Sequence, residues 1–211
     1  MRPLPPSIRH LILTLGAAAC LLSVLVCMPG CWIAQVAGGM AESYKRSSTH
    51  LVEAEYDGLR GKSFAVIVTS DRVIQGTHPT LLPRLATRIT QALAVPENTG
   101  VVGFVPVIAI LEFQLSHPDW TTWTYEQLAA EFDVDILIIV DMYEYRLHEV
   151  GNAFLWDGMA AARVGIVEAR GYSPNEYSFF KDVQVRYPNE TGLGPQDLTS
   201  QVVRSNLEKR F

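Results

Sequence analysis

Phe132-Asp-Val-Asp-Ile-Leu-Ile-Ile-Val-Asp-Met-Tyr-Glu-Tyr-Arg-Leu147 changes its hydrophobic period halfway along. From Ile136 to Val140 it is continuously apolar, the pattern of a strand covered on both faces, and from Asp141 to Leu147 it alternates, the pattern of a strand with one wet face. A single long strand passes from the middle of a sheet out to its margin. Phe64-Ala-Val-Ile-Val-Thr69 is a second continuous run, bounded by Lys62 and Asp71, and reads as a central strand beside it. Residues 155–168 alternate, with Trp156, Ala160, Ala162, Val164 and Ile166 on one face and Asp157, Arg163 and Val167 on the other. Residues 177–187 repeat the pattern, with Tyr177, Phe179, Val183 and Val185 sharing a face and Lys181 as the exception. Gly151-Asn152 and Gly171-Tyr-Ser-Pro-Asn175 join these three strands into an antiparallel meander.

Helices fill the intervals. Leu82, Leu85, Ile89 and Leu93 keep helical spacing, with Thr80 placed to cap and Pro83 in the first turn. Val101–Val105 reads as a short strand, and Val107–Leu115, largely apolar, fits either a helix or a strand, of which the helix is favoured. Thr124 and Gln127 have capping-box spacing ahead of the stripe Tyr125, Leu128, Ala129 and Phe132. A last helix starts near Asp197, with Val203, Leu207 and Phe211 on one line. The fold class is therefore α/β (α+β): a mixed sheet of four to five strands ending in an antiparallel meander, with helices packed on it.

The chain has 211 residues, and fifteen of the eighteen in positions 11–28 are apolar. Mean hydropathy is +0.14 overall, and about −0.1 once that run is set aside. Arg2 and Arg9 precede the run and Pro29-Gly30-Cys31 follows it, so the order is that of a secretory signal: positive, apolar, small. Gly30 before Cys31 resembles the lipobox of bacterial lipoproteins. That resemblance implies diacylglycerol on the Cys31 thiol, cleavage in front of it, and a membrane held through an N-terminal lipid anchor. The alternative is an uncleaved single-pass anchor, since eighteen residues lie at the short end of a bilayer span. Either way the basic side stays in the cytoplasm and residues 32–211 are exported. The domains read as 1–30 signal peptide of the lipoprotein type, 31–62 tether and 63–211 a single α/β domain. Cys20, Cys27 and Cys31 are the only cysteines, so the domain holds together without a disulfide.

Without Arg2 and Arg9 the chain carries 15 basic against 22 acidic residues, which argues against nucleic acid as a partner. The order of elements resembles the small α/β domains of bacterial envelope proteins, specifically the amino-terminal domain of TolB and the related domain of the curli-secretion lipoprotein. Phe64-Ala-Val-Ile-Val, the helix after it and Phe132–Val140 carry the resemblance, which spans residues 62–210. It implies an accessory domain of envelope assembly or transport with an envelope protein as partner, and it transfers no functional residue beyond the lipid-site cysteine.

Motifs of chemistry are sparse. Gly58-Leu-Arg-Gly-Lys-Ser63 ends like a phosphate loop, but Tyr56 stands where the first glycine belongs and the motif precedes its strand. Asp133 and Asp135 flank a helix-to-strand turn, while Asp141 and Glu144, an odd number apart, are expected on opposite faces. His50, His78, His117 and His148 lack metal-ligand spacing, so neither metal nor cofactor is expected. Asn189-Glu-Thr191 is a chance glycosylation match, and Ser70 has no identifiable base. The aromatics are the candidates for binding: Trp120, Trp123 and Tyr125 gather in one loop, and Phe154 and Trp156 flank the hairpin. Trp120, Trp123 and Trp156 either anchor a partner or plug the end of the sheet. The expected function is a lipid-anchored, non-catalytic envelope protein acting through protein contacts. The alternative is an envelope hydrolase assembled from Asp71, His117 or Asp141.

Overall fold

The computed structural model describes residues 54–149 and 151–211. The leader, Cys31, and tether residues 31–53 lie outside the described residues. The elements are β1 (Ser63–Ser70), α1 (Arg72–Thr77), α2 (Leu81–Leu93), α3 (Pro96–Thr99), β2 (Gly103–Phe104), α4 (Val107–Ser116), a 3₁₀ turn (Trp120–Thr122), α5 (Tyr125–Phe132), β3 (Ile136–His148), β4 (Trp156–Glu168), β5 (Phe179–Tyr187) and α6 (Ser200–Arg210).

They build one mixed sheet of order β2-β1-β3-β4-β5, parallel about β1 and antiparallel from β3 outward. The crossovers β1-to-β2 and β2-to-β3 run in opposite directions, so connections of one hand lay their helices on opposite faces. One face is packed by α2 and α6, with Phe64, Val66, Ile136, Val140, Leu81, Leu85, Val203 and Leu207 among its core. The other is packed by α4 and α5, with Ala65, Ile67, Leu137 and Val167 meeting Ile110, Phe113 and Leu128. This is why the two continuous runs are apolar at every position: Phe64 and Ala65, side by side and facing opposite ways, are both 0% exposed. The second cover ends at about Val140, and beyond it that face of the meander is wet, as the change of period in β3 requires.

Residues assigned to the tether take part in the packed domain. Leu59 joins the core, the Tyr56 ring lies 5.8 Å from that of Phe179, and Glu168 accepts bonds from Tyr56 Oη at 2.8 Å and Lys62 Nζ at 2.6 Å. At the same end Asp135 accepts from the backbone N–H and hydroxyl of Ser63, each at 2.8 Å, and meets Arg170 at 3.0 Å. The ends of β1, β3 and β4 are thereby tied by charge.

Four local readings change. Thr80 stands at the N-cap of α2 but its hydroxyl bonds no helix N–H: its backbone is helical (φ −94°, ψ −2°) where a capping residue is extended, and Pro83 at the third helical position has no N–H to give. Asp71 instead caps the unexpected helix α1, accepting from Ile74 N at 2.7 Å. Tyr177 precedes β5 and crosses to the α5 side of the sheet, where its ring covers Gly165. The fourth change is a β-bulge. Pairing steps from Met142↔Ala162 to Glu144↔Ala161, leaving Tyr143 without a partner. Asp141, opposite Arg163, and Glu144, opposite Ala161, therefore share a face, contrary to the odd-number expectation, while Met142 and Tyr145 are both buried on the other.

Candidate functional site

The loop between α4 and α5 is built for position. His117 ends α4 and stacks on Phe113 with ring centroids 4.6 Å apart, and Trp123 meets both edge-on, at 5.3 Å from Phe113 and 5.6 Å from His117. Backbone bonds from Trp120 N to His117 O at 3.0 Å and from Trp123 N to Trp120 O at 3.1 Å fix the turn between them. The capping box then closes as the sequence predicts: Thr124 Oγ1 accepts from Gln127 N at 3.2 Å and Gln127 Oε1 accepts from Thr124 N at 2.9 Å. Tyr125 follows as the first residue of α5.

Tyr125 reaches across to Tyr177, hydroxyl to hydroxyl at 2.5 Å, with ring centroids 5.5 Å apart. Asn175 Oδ1 accepts from Glu126 N at 3.1 Å and holds the same connecting loop against the start of α5. A recess of about 340 Å³ results where the carboxyl end of β1 lies beside the first half of β3. Trp120, Trp123, Tyr125 and Tyr177 line it, with Ile67, Ile139 and Leu128 below and Thr69 and Asp141 at its polar end. Crevices outside the carboxyl ends of parallel strands are where α/β sheets bind ligands. Asp141 is the one charged side chain in the lining and accepts a bond from Thr69 Oγ1 at 3.1 Å. Burial pushes the Tyr125 hydroxyl up to about 12, helped by its bond to Tyr177 and by the charge of Asp141, so this wall stays neutral at working pH.

Trp120 also borders a larger groove of about 480 Å³ between α2 and α4, beside the edge of β1. Its lining, including Leu82, Ala86, Ile110, Leu111 and Leu115, holds no charged side chain. It offers burial without chemistry.

Trp120 and Trp123 are thus brought together, half-buried, and Trp156 is not with them. Trp156 is 6% exposed, lies in the core under α6 on the opposite face, donates from Nε1 to Leu198 O at 2.9 Å and stacks on His148 at 4.3 Å. Cys31 lies outside the described residues. Of the three side chains named for a hydrolytic site, Asp141 lines the recess, Asp71 is bound to the start of α1 and His117 is stacked on Phe113. Neither Asp71 nor His117 lines the recess. Tyr177 and Thr69 were missed as site residues. Gly165, an unforced glycine within a strand pattern, is the signal that something lies close above that strand. Among the described residues no cluster of three or more His, Cys, Asp or Glu side chains is placed to hold a metal ion, and no helix is long and apolar enough to cross a membrane.

No protein-family model matches the sequence, and no curated protein matches it at the level of sequence. Three solved structures are similar in chain path. A lipoprotein from Neisseria meningitidis is 13% identical, with 70% of this chain and 94% of that one covered at a TM-score of 0.43. The PelC dodecamer from Paraburkholderia phytofirmans is 11% identical, with coverages of 71% and 84% and a TM-score of 0.40. A protein from Xanthomonas campestris is 8% identical, with coverages of 77% and 84% and a TM-score of 0.42. At these values nothing about function follows from them.

Proposed function

We propose that this protein is a lipid-anchored, non-catalytic component of a bacterial envelope that works through contacts with another envelope protein in assembly or transport. The leader that ends in Gly30-Cys31 supplies the anchor in this reading, and the sequence pattern like that of TolB and the curli-secretion lipoprotein supplies the role. The observation that carries it is the recess itself, in which Trp120, Trp123, Tyr125 and Tyr177 line a crevice at the sheet end. Aromatic side chains in such a setting are typical anchors of an interface. Two or three acyl chains on Cys31 hold a domain stably where one is marginal.

Two measurements on protein made in its own envelope test the reading. Intact-mass analysis should find acyl chains on Cys31 and lose them in Cys31→Ser, whereas an unmodified, uncleaved leader would establish the single-pass anchor instead. A photo-crosslinker at Thr121, on the rim of the recess, should trap one discrete envelope protein. Failure to trap any protein above background would overturn the contact role.

A further inference from the structure

We propose that the recess formed by Trp120, Trp123, Tyr125, Tyr177 and Asp141 receives an organic cation, the side chain of a lysine or arginine presented by the partner. This rests on the reading of the recess as the contact site, and it names the chemistry that site selects.

The composition of the wall carries the inference. Four of the ten lining residues are Trp or Tyr and three more are aliphatic, so a bound group loses water on most sides. Aromatic rings attract cations through their quadrupole, tryptophan most strongly, within about 6 Å of the ring centroid. At the polar end stands one carboxylate, and no lining residue brings a positive charge to answer it. Asp141 has a single hydrogen-bond partner among the described residues, Thr69 Oγ1, and no ion pair. The cation in register with it, Arg163, is turned the other way: its guanidinium stands over the Phe180 ring at 5.4 Å and Nε is 3.8 Å from Asp182. An anion would meet repulsion from Asp141, the one charge in the lining. An uncharged apolar group would strand the carboxylate and is better served by the larger charge-free groove next door. At about 340 Å³ the recess suits one long side chain and not a folded element.

The test titrates butylammonium and ethylguanidinium against the full-length mature protein in detergent, following indole fluorescence and the indole N–H resonances. Saturable binding should shift the Trp120 and Trp123 resonances and leave Trp156 in place. Asp141→Asn should weaken binding by about tenfold, and Thr69→Val, which removes the hydroxyl that holds Asp141, by less. Equal binding of butanol or butyrate, or binding untouched by Asp141→Asn, would overturn the proposal. The crosslink at Thr121 separates the two readings. If it persists while the cations fail to bind, the recess is a contact site of other chemistry. If cations bind and the crosslink is absent, the contact reading fails and the cation site stands.

Discussion

The hydroxyl of Tyr125, at the start of α5, lies 2.5 Å from that of Tyr177, on the loop ahead of β5, and this bond joins one wall of the recess to the other. Tyr177 is seated on Gly165 of β4, where a Cβ atom would come within 3.0 Å of the ring carbon Cζ and closer still to the ring edge.

Gly165→Ala should therefore unseat Tyr177 and open the recess, which thermal unfolding and indole fluorescence can follow together. Tyr177→Phe removes only the hydroxyl bond, so it should cost about 1 kcal/mol or less and leave the ring in place. A Gly165→Ala protein whose indole signals and midpoint match those of the parent would show that the ring is not held by close contact.

Thr124→Ala should cost about 1 kcal/mol, because it removes a cap whose bond to Gln127 N is formed. Thr80→Ala, at a position of equal appearance in the sequence, should be within about 0.5 kcal/mol of neutral, since that hydroxyl caps nothing. Urea unfolding of both variants gives the comparison.

Acid should loosen the end of the sheet where the early chain is tied down. The bonds from Lys62 and Tyr56 hold the Glu168 carboxyl below its usual 4.5, and the bonds from Ser63 hold Asp135 below its usual 3.8. For groups depressed in the folded state, the added stability is present above the unfolded pKa and is lost as pH falls through the folded one. Stability measured against pH should thus decline below about pH 4.5, and Glu168→Gln should flatten the upper part of that decline. A parallel curve for the variant would deny Glu168 its part.

Gly158→Ala tests the packing of α6. A Cβ there would stand 2.5 Å from Tyr187 O in the backbone of β5 and 2.8 Å from Leu207 Cδ1 of α6, so β5 has to shift and the α6 side chains have to repack. We expect a loss of about 1–3 kcal/mol, read from the thermal midpoint.

Period alone sufficed for what is buried twice over. Ile136–Val140 and Phe64–Val68 are short continuous apolar runs rich in β-branched residues, which fit a strand covered on both faces, and Thr124 with Gln127 fits a helix start. Trp120 and Trp123 were legible as neighbours since only two residues separate them. Trp156 was not separable from them in sequence, because alternation assigns a face but not which helices cover it. Tyr177 escaped because it lies two residues before the strand begins, where the odd-even rule does not yet hold. Asp141 and Glu144 were misassigned because a bulge is invisible to period: it needs the partner strand, and Ala161 and Ala162 carry no mark of it.

That bulge has a consequence for the arithmetic of the chain. With Tyr143 deleted, Asp141, Met142, Glu144 and Tyr145 would alternate without interruption against Arg163, Ala162, Ala161 and Ala160, the partners they already have. Deleting Met142 instead would bring Tyr143 into the buried place opposite Ala162, and deleting Tyr145 would bring Glu144 into the buried place opposite Ala160. Tyr143, with a side chain 50% exposed, is a residue that pairing does not require. The strand has room for one omission, and its place is fixed.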